Sequence, residues 1–219
     1  FVLQLTSYVT VDEIWVIARR KERLESLAPE VNAKLRAISL DLTKEESIEE
    51  YKKYIDLRDV GVISPKMVDR NFEKSIETEN SYDYVDKCIT SASLTSVESW
   101  KKVNGFWEYL FIDFVDHDFC AKCMKNNTRI IRVNSVELLH ELGNGEHHTF
   151  LGRRVTALNH SPFRKYYMVR NWLIYMHEHR DVINYKKERN SYLFFYLKTL
   201  LFEDRKMEKL AQMLKGRRD

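Results

Sequence analysis

Long apolar runs are missing from this 219-residue chain. None approaches the roughly 20 consecutive apolar residues that a membrane-spanning helix needs. The opening residues, FVLQLTSYVT, carry neither a basic stretch nor a small-residue cleavage site, so secretion by a signal of its own is not expected. The chain also begins without Met, in the middle of an apolar pattern, as a fragment would. Cysteine is scarce and odd in number, at positions 88, 120 and 123. That argues against a disulfide scaffold and for a reducing compartment, the cytoplasm being the expected one. Glycine is scarce too: of six, none precedes Gly61, so the first sixty residues cannot build a glycine-rich turn that cradles phosphate. Zinc-finger spacing and RNA-binding aromatic motifs are absent, and nucleic acid is not an expected partner. No internal repeat or low-complexity tract occurs.

Charge is present but uneven. The net is +3, yet residues 151–219 hold 16 basic against 7 acidic side chains, while residues 1–60 and 61–150 carry −2 and −4. A basic end of that size favours an anionic partner, either a phosphate-bearing substrate or an anionic lipid surface. YLFFYLKTLLF (192–202), flanked by Lys186, Lys187, Arg205 and Lys206, has the composition of an interfacial helix. Peripheral contact with the inner face of the membrane through the basic C-terminal helices is therefore one expectation. A core-facing helix with a solvated basic face is the other.

Apolar runs EIWVIA (13–18), LRAISLDL (35–42) and VGVIS (60–64) alternate with charged helical stretches at 19–31 and 44–55, the second opened by Thr43 with Glu46 three residues on. Strands separated by helices predict βαβ units and a parallel sheet. Further along, the pattern predicts loop with short strands at 67–85, and a strand followed by a helix at 88–103. A loop leading into a helix that closes near Asn126 and Asn127 comes next, then two strands and a turn at 128–143. A mobile loop over 143–154 precedes helix at 161–179 and 182–216, with Gly216 as a left-handed cap. The expected class is α/β: a parallel-rich βαβ sheet with a helical C-terminal region, in three parts, 1–54, 55–160 and 161–219.

Polarity and burial conflict most sharply in GFWEYLFIDFVDHDFC (105–120), where Glu108, Asp113, Asp116, His117 and Asp118 interrupt an aromatic run. One unpaired buried carboxylate costs several kcal/mol. Carboxylates so grouped can hold a divalent ion, or act as a general base because neighbouring anions raise one another's proton affinity. They can equally form an acidic helix N-terminus above packed aromatics. His117, Cys120 and Cys123, with His147 and His148, are zinc-ligand types, although cysteines on one helix face read more simply as small core residues. Arg164, Lys165, Tyr166, Tyr167, Arg170 and Asn171 could meet a diphosphate or an anionic acceptor. Arg19 and Arg20, after the first apolar run, could clamp a phosphate, with Asp41 near a base or ribose.

Four blocks, DVGVISPKMVDRN (59–71), ITSASLTSVESWKKVNGFWEYLFIDFVDHDFCAKCMKNN (89–127), VELLHELG (136–143) and NHSPFRKYYMVRN (159–171), resemble in order the family 2 glycosyltransferases, in particular the rhamnosyltransferase-like branch. The resemblance covers about residues 55–219. It implies part of a GT-A fold and an inverting transferase that moves a rhamnose-like or other hexose from a nucleotide diphosphate to a saccharide or lipid-linked acceptor. By position it implies Asp116 as catalytic base, with Val115 where a Glu is usual. It places Thr90, Ser91 and Ser93 in the floor of the donor and acceptor sites, with Ala92 where a Gly is typical. Gly105, Phe106, Glu108 and Phe111 would shape the acceptor side, and His140 would complete a site for a divalent metal, Mg or Mn. From the basic-aromatic block, Arg164, Tyr167 and Arg170 are the expected substrate contacts; Asp118 is the second expected metal ligand, although Asp116-His117-Asp118 lies in the base block and not on the family's Asp-x-Asp strand.

Residues 1–51 resemble instead the part of a short-chain dehydrogenase that follows its glycine-rich loop. This implies a Rossmann-like start, with Arg19 and Arg20 for the 2′-phosphate of NADP and Asp41 for the adenine. That family's catalytic Tyr, with a Lys four residues on, is found nowhere in the chain, which excludes a working dehydrogenase. Residues 1–54 also lack the Asp-x-Asp strand of the transferases, and a chain joined near residues 45–58 is expected to bind a sugar nucleotide poorly. The alternatives to transferase are thus an NADP-binding remnant or a hybrid fragment without catalysis.

Overall fold

The structure, a computed structural model, describes residues 13–17, 34–38, 53–54, 57, 59–69, 79–140, 145–150 and 152–219. The chain divides into two compact units, Phe1–Lys53 and Tyr54–Asp219. In the first, β1 (Glu13–Ile17) pairs parallel with β2 (Lys34–Ile38), Glu13 opposite Lys34 and Ile17 opposite Ile38. Parallel neighbours need a crossover between them rather than a hairpin, as the alternation of apolar and charged stretches predicts. Arg19, Arg20 and Asp41 lie outside the described residues, as do Thr43 and Glu46.

The second unit is built on a four-stranded mixed sheet in the order β4-β6-β3-β5, from β3 (Val60–Asp69), β4 (Tyr82–Tyr84), β5 (Leu94–Thr95) and β6 (Arg129–His140). The central pair, β3 and β6, runs parallel and both edge strands run antiparallel to it. Val62, Ile63 and Ser64 are all buried, because a central strand covered on both faces has no solvent side to alternate with. Gly61 permits the contact that anchors this strand: a Cβ there would sit 2.2 Å from Thr128 Cγ2 and 2.5 Å from Ser99 Oγ. The pattern at 128–143 predicts two strands, but β6 is one strand with a break in register. Pro65 pairs with Val133 and Lys66 with Glu137, which leaves residues 134–136 bulged out. The break falls at a proline, which has no N–H to give to the ladder.

Helix α1 (Val97–Lys102) is capped by Ser96, whose side chain accepts from the Ser99 amide. Helix α2 (Val115–Lys125) stops at Asn126. It faces two cores at once. Phe119, Cys120 and Cys123 pack with Val62, Val103 and Ile130 against the sheet, while Ala121 packs with Val169, Tyr175, Met176, Tyr192, Phe195 and Met213 of the C-terminal helices.

Residues 143–154 do not form a loop throughout: β7 (Glu146–Phe150) and β8 (Arg153–Ala157) make an antiparallel hairpin. Gly152, at φ +74°, supplies the left-handed residue of its tight turn. The helical end comprises α3 (Pro162–Glu178), α4 (Tyr185–Phe202) and α5 (Lys206–Arg218). Ser161 and Asn184 cap the first two through the amides of Arg164 and Lys187. The helical run expected over 182–216 is thus broken at 203–205, where Glu203 turns inward between two lysines. Its oxygens accept from Lys165 Nζ (2.6 Å) and Lys209 Nζ (3.1 Å), and all three side chains are at most 1% exposed. Gly216 is not a left-handed cap but a point of close approach: a Cβ on it would lie 2.3 Å from the Tyr166 carbonyl oxygen.

Helix α4 is apolar around much of its girth. Tyr192 and Phe195 are buried, whereas Leu193, Phe194, Leu197, Leu200 and Leu201 are exposed. Among the described residues no helix is long and apolar enough to cross a membrane.

Candidate active site

The acid-rich segment forms one wall of a cavity of about 530 Å³ lined by Ser91, Asp113, Asp116, His117, Arg164 and Glu188 among others. Its backbone is unusual. Phe111, Asp113 and Phe114 have φ of +60°, +61° and +64°, a region that disfavours side-chain-bearing residues and persists only where the surroundings impose it. Here the imposing groups come from α3. The side-chain amide nitrogen of Asn171 donates to the carbonyls of Leu110 (2.7 Å), Ile112 (2.7 Å) and Asp113 (3.1 Å), while its oxygen accepts from Arg170 Nε (2.9 Å). Arg170 also donates to the Tyr109 carbonyl (2.8 Å), and its guanidinium lies over the rings of Tyr109 and Tyr167. Arg164 grips the Asp113 carboxylate with two nitrogens, at 2.9 and 2.8 Å. The result is a short arc of chain, held open, that turns into α2 and places Asp116 in its first turn.

The hydroxyl and backbone N–H of Thr90 act to lower the proton affinity of Asp116, yet its carboxyl is raised above the ordinary carboxylate value, chiefly by burial and further by the negative Asp113. A carboxylate that is desolvated and above its usual proton affinity has the properties of a general base. Thr90 sits in a turn closed by Ser93, whose amide and hydroxyl both donate to the Thr90 carbonyl (3.1 and 2.9 Å). Ala92, in the middle of this turn, has φ +57°. The resemblance expects glycine there, and the backbone explains why. Ala92→Gly is expected to stabilise the unit by about 0.5–1 kcal/mol, since it relieves a left-handed alanine at some cost in chain entropy. A lower midpoint in urea for the variant would contradict this.

The cavity includes residues that sequence alone does not single out. Glu188, buried in the first turn of α4, accepts from Lys87 Nζ (2.7 Å) and from Trp172 Nε1 (2.9 Å). A hundred and one positions separate Lys87 from Glu188, and no spacing rule reaches that far. His117 is pushed down to about 4, first by burial and then by Lys87, and its buried Nδ1 has no hydrogen-bond partner. His160 is likewise pushed down to about 4, by burial and by Arg164, whose Nη1 lies 3.5 Å from its Nδ1.

Both imidazoles regain an ordinary value near 6.5 when the chain unfolds. Between about 6.5 and about 4 the unfolded state therefore binds more protons, and stability must fall as pH falls through that window. Asp116, raised in the folded state, opposes the trend at its lower end. The expected loss between pH 7 and 4.5 is on the order of 2–4 kcal/mol, read from urea titrations, and His117→Asn should flatten the slope. An unchanged slope would remove His117 from this account.

The other expected site residues fall elsewhere. Gly105, at φ +65°, packs on the Trp100 ring, Phe106 packs on Phe119 with centroids 4.8 Å apart, and Glu108 opens the 3-10 turn Glu108–Leu110. None of the three lines the cavity. Tyr167 stacks near Phe111 (5.3 Å) and with Arg170 supports the arc from behind. Asp118, expected as a metal ligand, is not part of the cavity lining: its oxygens face His179 Nε2 (2.8 Å) and Lys122 Nζ (2.7 Å), and it is 1% exposed. His140 ends β6 opposite Asp69. Among the described residues no three His, Cys, Asp or Glu side chains converge as a metal site, and Asp118 is committed to His179 and Lys122. His117, Cys120 and Cys123 likewise form no zinc site: the cysteines lie in the sheet-facing core, His147 Nδ1 lies 3.1 Å from the Thr156 hydroxyl, and His148 stacks on Phe202.

Comparison with known proteins adds one relationship. The chain is similar to the dTDP-rhamnosyl transferase RfbF of Shigella flexneri, at 25% identity over 147 residues that cover 58% of this chain and 48% of that protein. The match thus spans about half the length of the curated relative. No family model matches the chain, and no solved structure matches it.

Proposed function

We propose that the Tyr54–Asp219 unit is the acceptor-activating half of a glycosyltransferase, with Asp116 as the base of an inverting transfer. The single observation that carries this reading is the Asp116 carboxylate in the cavity wall, raised in proton affinity by burial. The similarity to a dTDP-rhamnosyl transferase supports a nucleotide-diphosphate sugar, rhamnose or a related hexose, as donor, and a saccharide or lipid-linked hydroxyl as acceptor. In the proposed step Asp116 takes the proton of the acceptor hydroxyl as its oxygen attacks the anomeric carbon. The bond from that carbon to the diphosphate breaks, the nucleoside diphosphate departs, and the configuration inverts. Asp113, neutralised by Arg164, keeps the wall from becoming a block of unpaired anions while lifting Asp116. No step of this proposal runs through a metal ion.

Asp116→Asn keeps the shape and an acceptor for Thr90 but cannot take a proton. Transfer from a dTDP- or UDP-sugar should fall by about 10²–10⁴-fold, with the thermal midpoint nearly unchanged. Full turnover by a folded variant would refute the assignment. Stabilisation by NADPH in place of sugar nucleotides, followed by thermal shift, would favour the dehydrogenase-derived reading.

A further inference from the structure

Two of the three thiols are in contact. Cys88 Sγ and Cys120 Sγ lie 3.8 Å apart and share a hydrogen bond across 32 positions of sequence, and Cys120 Sγ also lies 4.0 Å from the Cys88 carbonyl. Cys88 is partly exposed, whereas Cys120 and Cys123 are buried. Burial pushes the Cys123 thiol up to about 12, whereas the hydrogen bond between the contacting pair lowers Cys120 and raises Cys88, so the pair gives up a first proton more readily than Cys123 and holds the second between its two sulfurs. The contacting pair also has a particular place. Cys88 stands two residues before Thr90, and Cys120 one helical turn after Asp116, so the sulfurs join the segment that carries Thr90 to the helix that carries Asp116.

We propose that Cys88 and Cys120 form an oxidisable dithiol, which a low-molecular-weight disulfide converts into an internal disulfide beside Asp116. Exposure makes Cys88 the sulfur that meets the external disulfide. With the remaining proton of the pair on Cys120, the Cys88 thiolate attacks, one small thiol leaves with the proton that the pair has lost, and a mixed disulfide forms. Cys120, already in contact, attacks the Cys88 sulfur, and the second small thiol leaves with the Cys120 proton. Two electrons pass from the protein sulfurs to the external disulfide, and the balance closes. The sulfurs must approach from 3.8 Å to about 2.05 Å, a movement that shifts the Cys88–Thr90 segment against α2 and so changes the surroundings of Asp116. The bond itself is independent of the transferase reading, while its effect on a catalytic base rests on that reading.

The test treats the whole chain with glutathione disulfide. Intact mass should fall by about 2 Da, the free thiols should drop from three to one, and peptide mapping should join Cys88 to Cys120. Cys123→Ser should oxidise as the parent does, and Cys88→Ser should form no internal bond. Glutathione retained on Cys88, a link through Cys123, or only intermolecular dimers would overturn the proposal. Amide exchange at Thr90 gives the second readout: a change of about tenfold or more between reduced and oxidised chain is expected, and equal protection would overturn the coupling to Asp116. Neither readout uses turnover, so failure here and failure of Asp116→Asn to lose activity are separate results.

Discussion

Glu203→Ala is expected to lower the stability of the Tyr54–Asp219 unit by about 3–5 kcal/mol, because it leaves the buried Lys165 ammonium without an anion and Lys209 with Asp204 alone. Lys165 lies at 0% exposure, Lys209 at 1% and Glu203 at 2%. Lys165 also donates to Thr199 (3.0 Å) and lies 4.0 Å from the Phe195 ring, and Lys209 pairs with Asp204 as well. Burial still pulls Lys165 down to about 8, with Glu203 working against it. The triad ties α3, α4 and α5 together at the point where α4 ends. Removing only the anion leaves the desolvation cost of both cations in place. Replacing all three with apolar residues of similar volume removes cost and attraction together, so Lys165→Met, Glu203→Leu and Lys209→Met combined should recover most of the loss. Urea denaturation of the single and triple variants decides the matter. A single variant as stable as the parent would mean that Glu203 does not bridge the two lysines.

Asn171→Asp should be worse than Asn171→Ala, although aspartate is nearly the same shape. Asn171 is fully buried, and its nitrogen serves three carbonyls of the arc that leads into α2. Alanine leaves those carbonyls without a donor, at about 1–3 kcal/mol for each that water cannot reach. Aspartate sets an anionic oxygen against three carbonyl oxygens and repels them. The alanine variant should lose about 3–4 kcal/mol, and the aspartate variant more at pH 7 than at pH 5, where protonation restores one donor. An Asn171→Asp variant as stable as the parent at neutral pH would show that the three carbonyls do not depend on the Asn171 amide nitrogen for a donor.

Much of this architecture can be read from local pattern. VGVIS declares a strand covered on both faces, and Asn126 marks the end of α2. The alternation in the first fifty residues predicts the parallel pairing of β1 and β2, and the acid-rich aromatic stretch does lie against a cavity. What escapes the reading is contact between distant side chains and backbone. Three glycines suggest a loop where Glu146–Phe150 and Arg153–Ala157 pair as a hairpin. The basic-aromatic block at 163–171 has the composition of a ligand surface, yet Arg170 and Asn171 are spent on the backbone of the arc, and Lys165 on Glu203. Such roles leave no periodic trace, because one asparagine beneath a loop has the same composition as one in solvent. Glu188 is hidden for a related reason: it resembles any acidic residue in a first turn until Lys87 arrives from the far side of the fold.

Helix α2 lends one flank to the sheet and the other to the C-terminal helices, and the proposed base rides on its first turn. The proposed base is therefore mounted on the keystone of the unit rather than on its rim. Loosening either neighbour frees the keystone, so damage in a remote layer should blunt the chemistry before the whole unit comes apart.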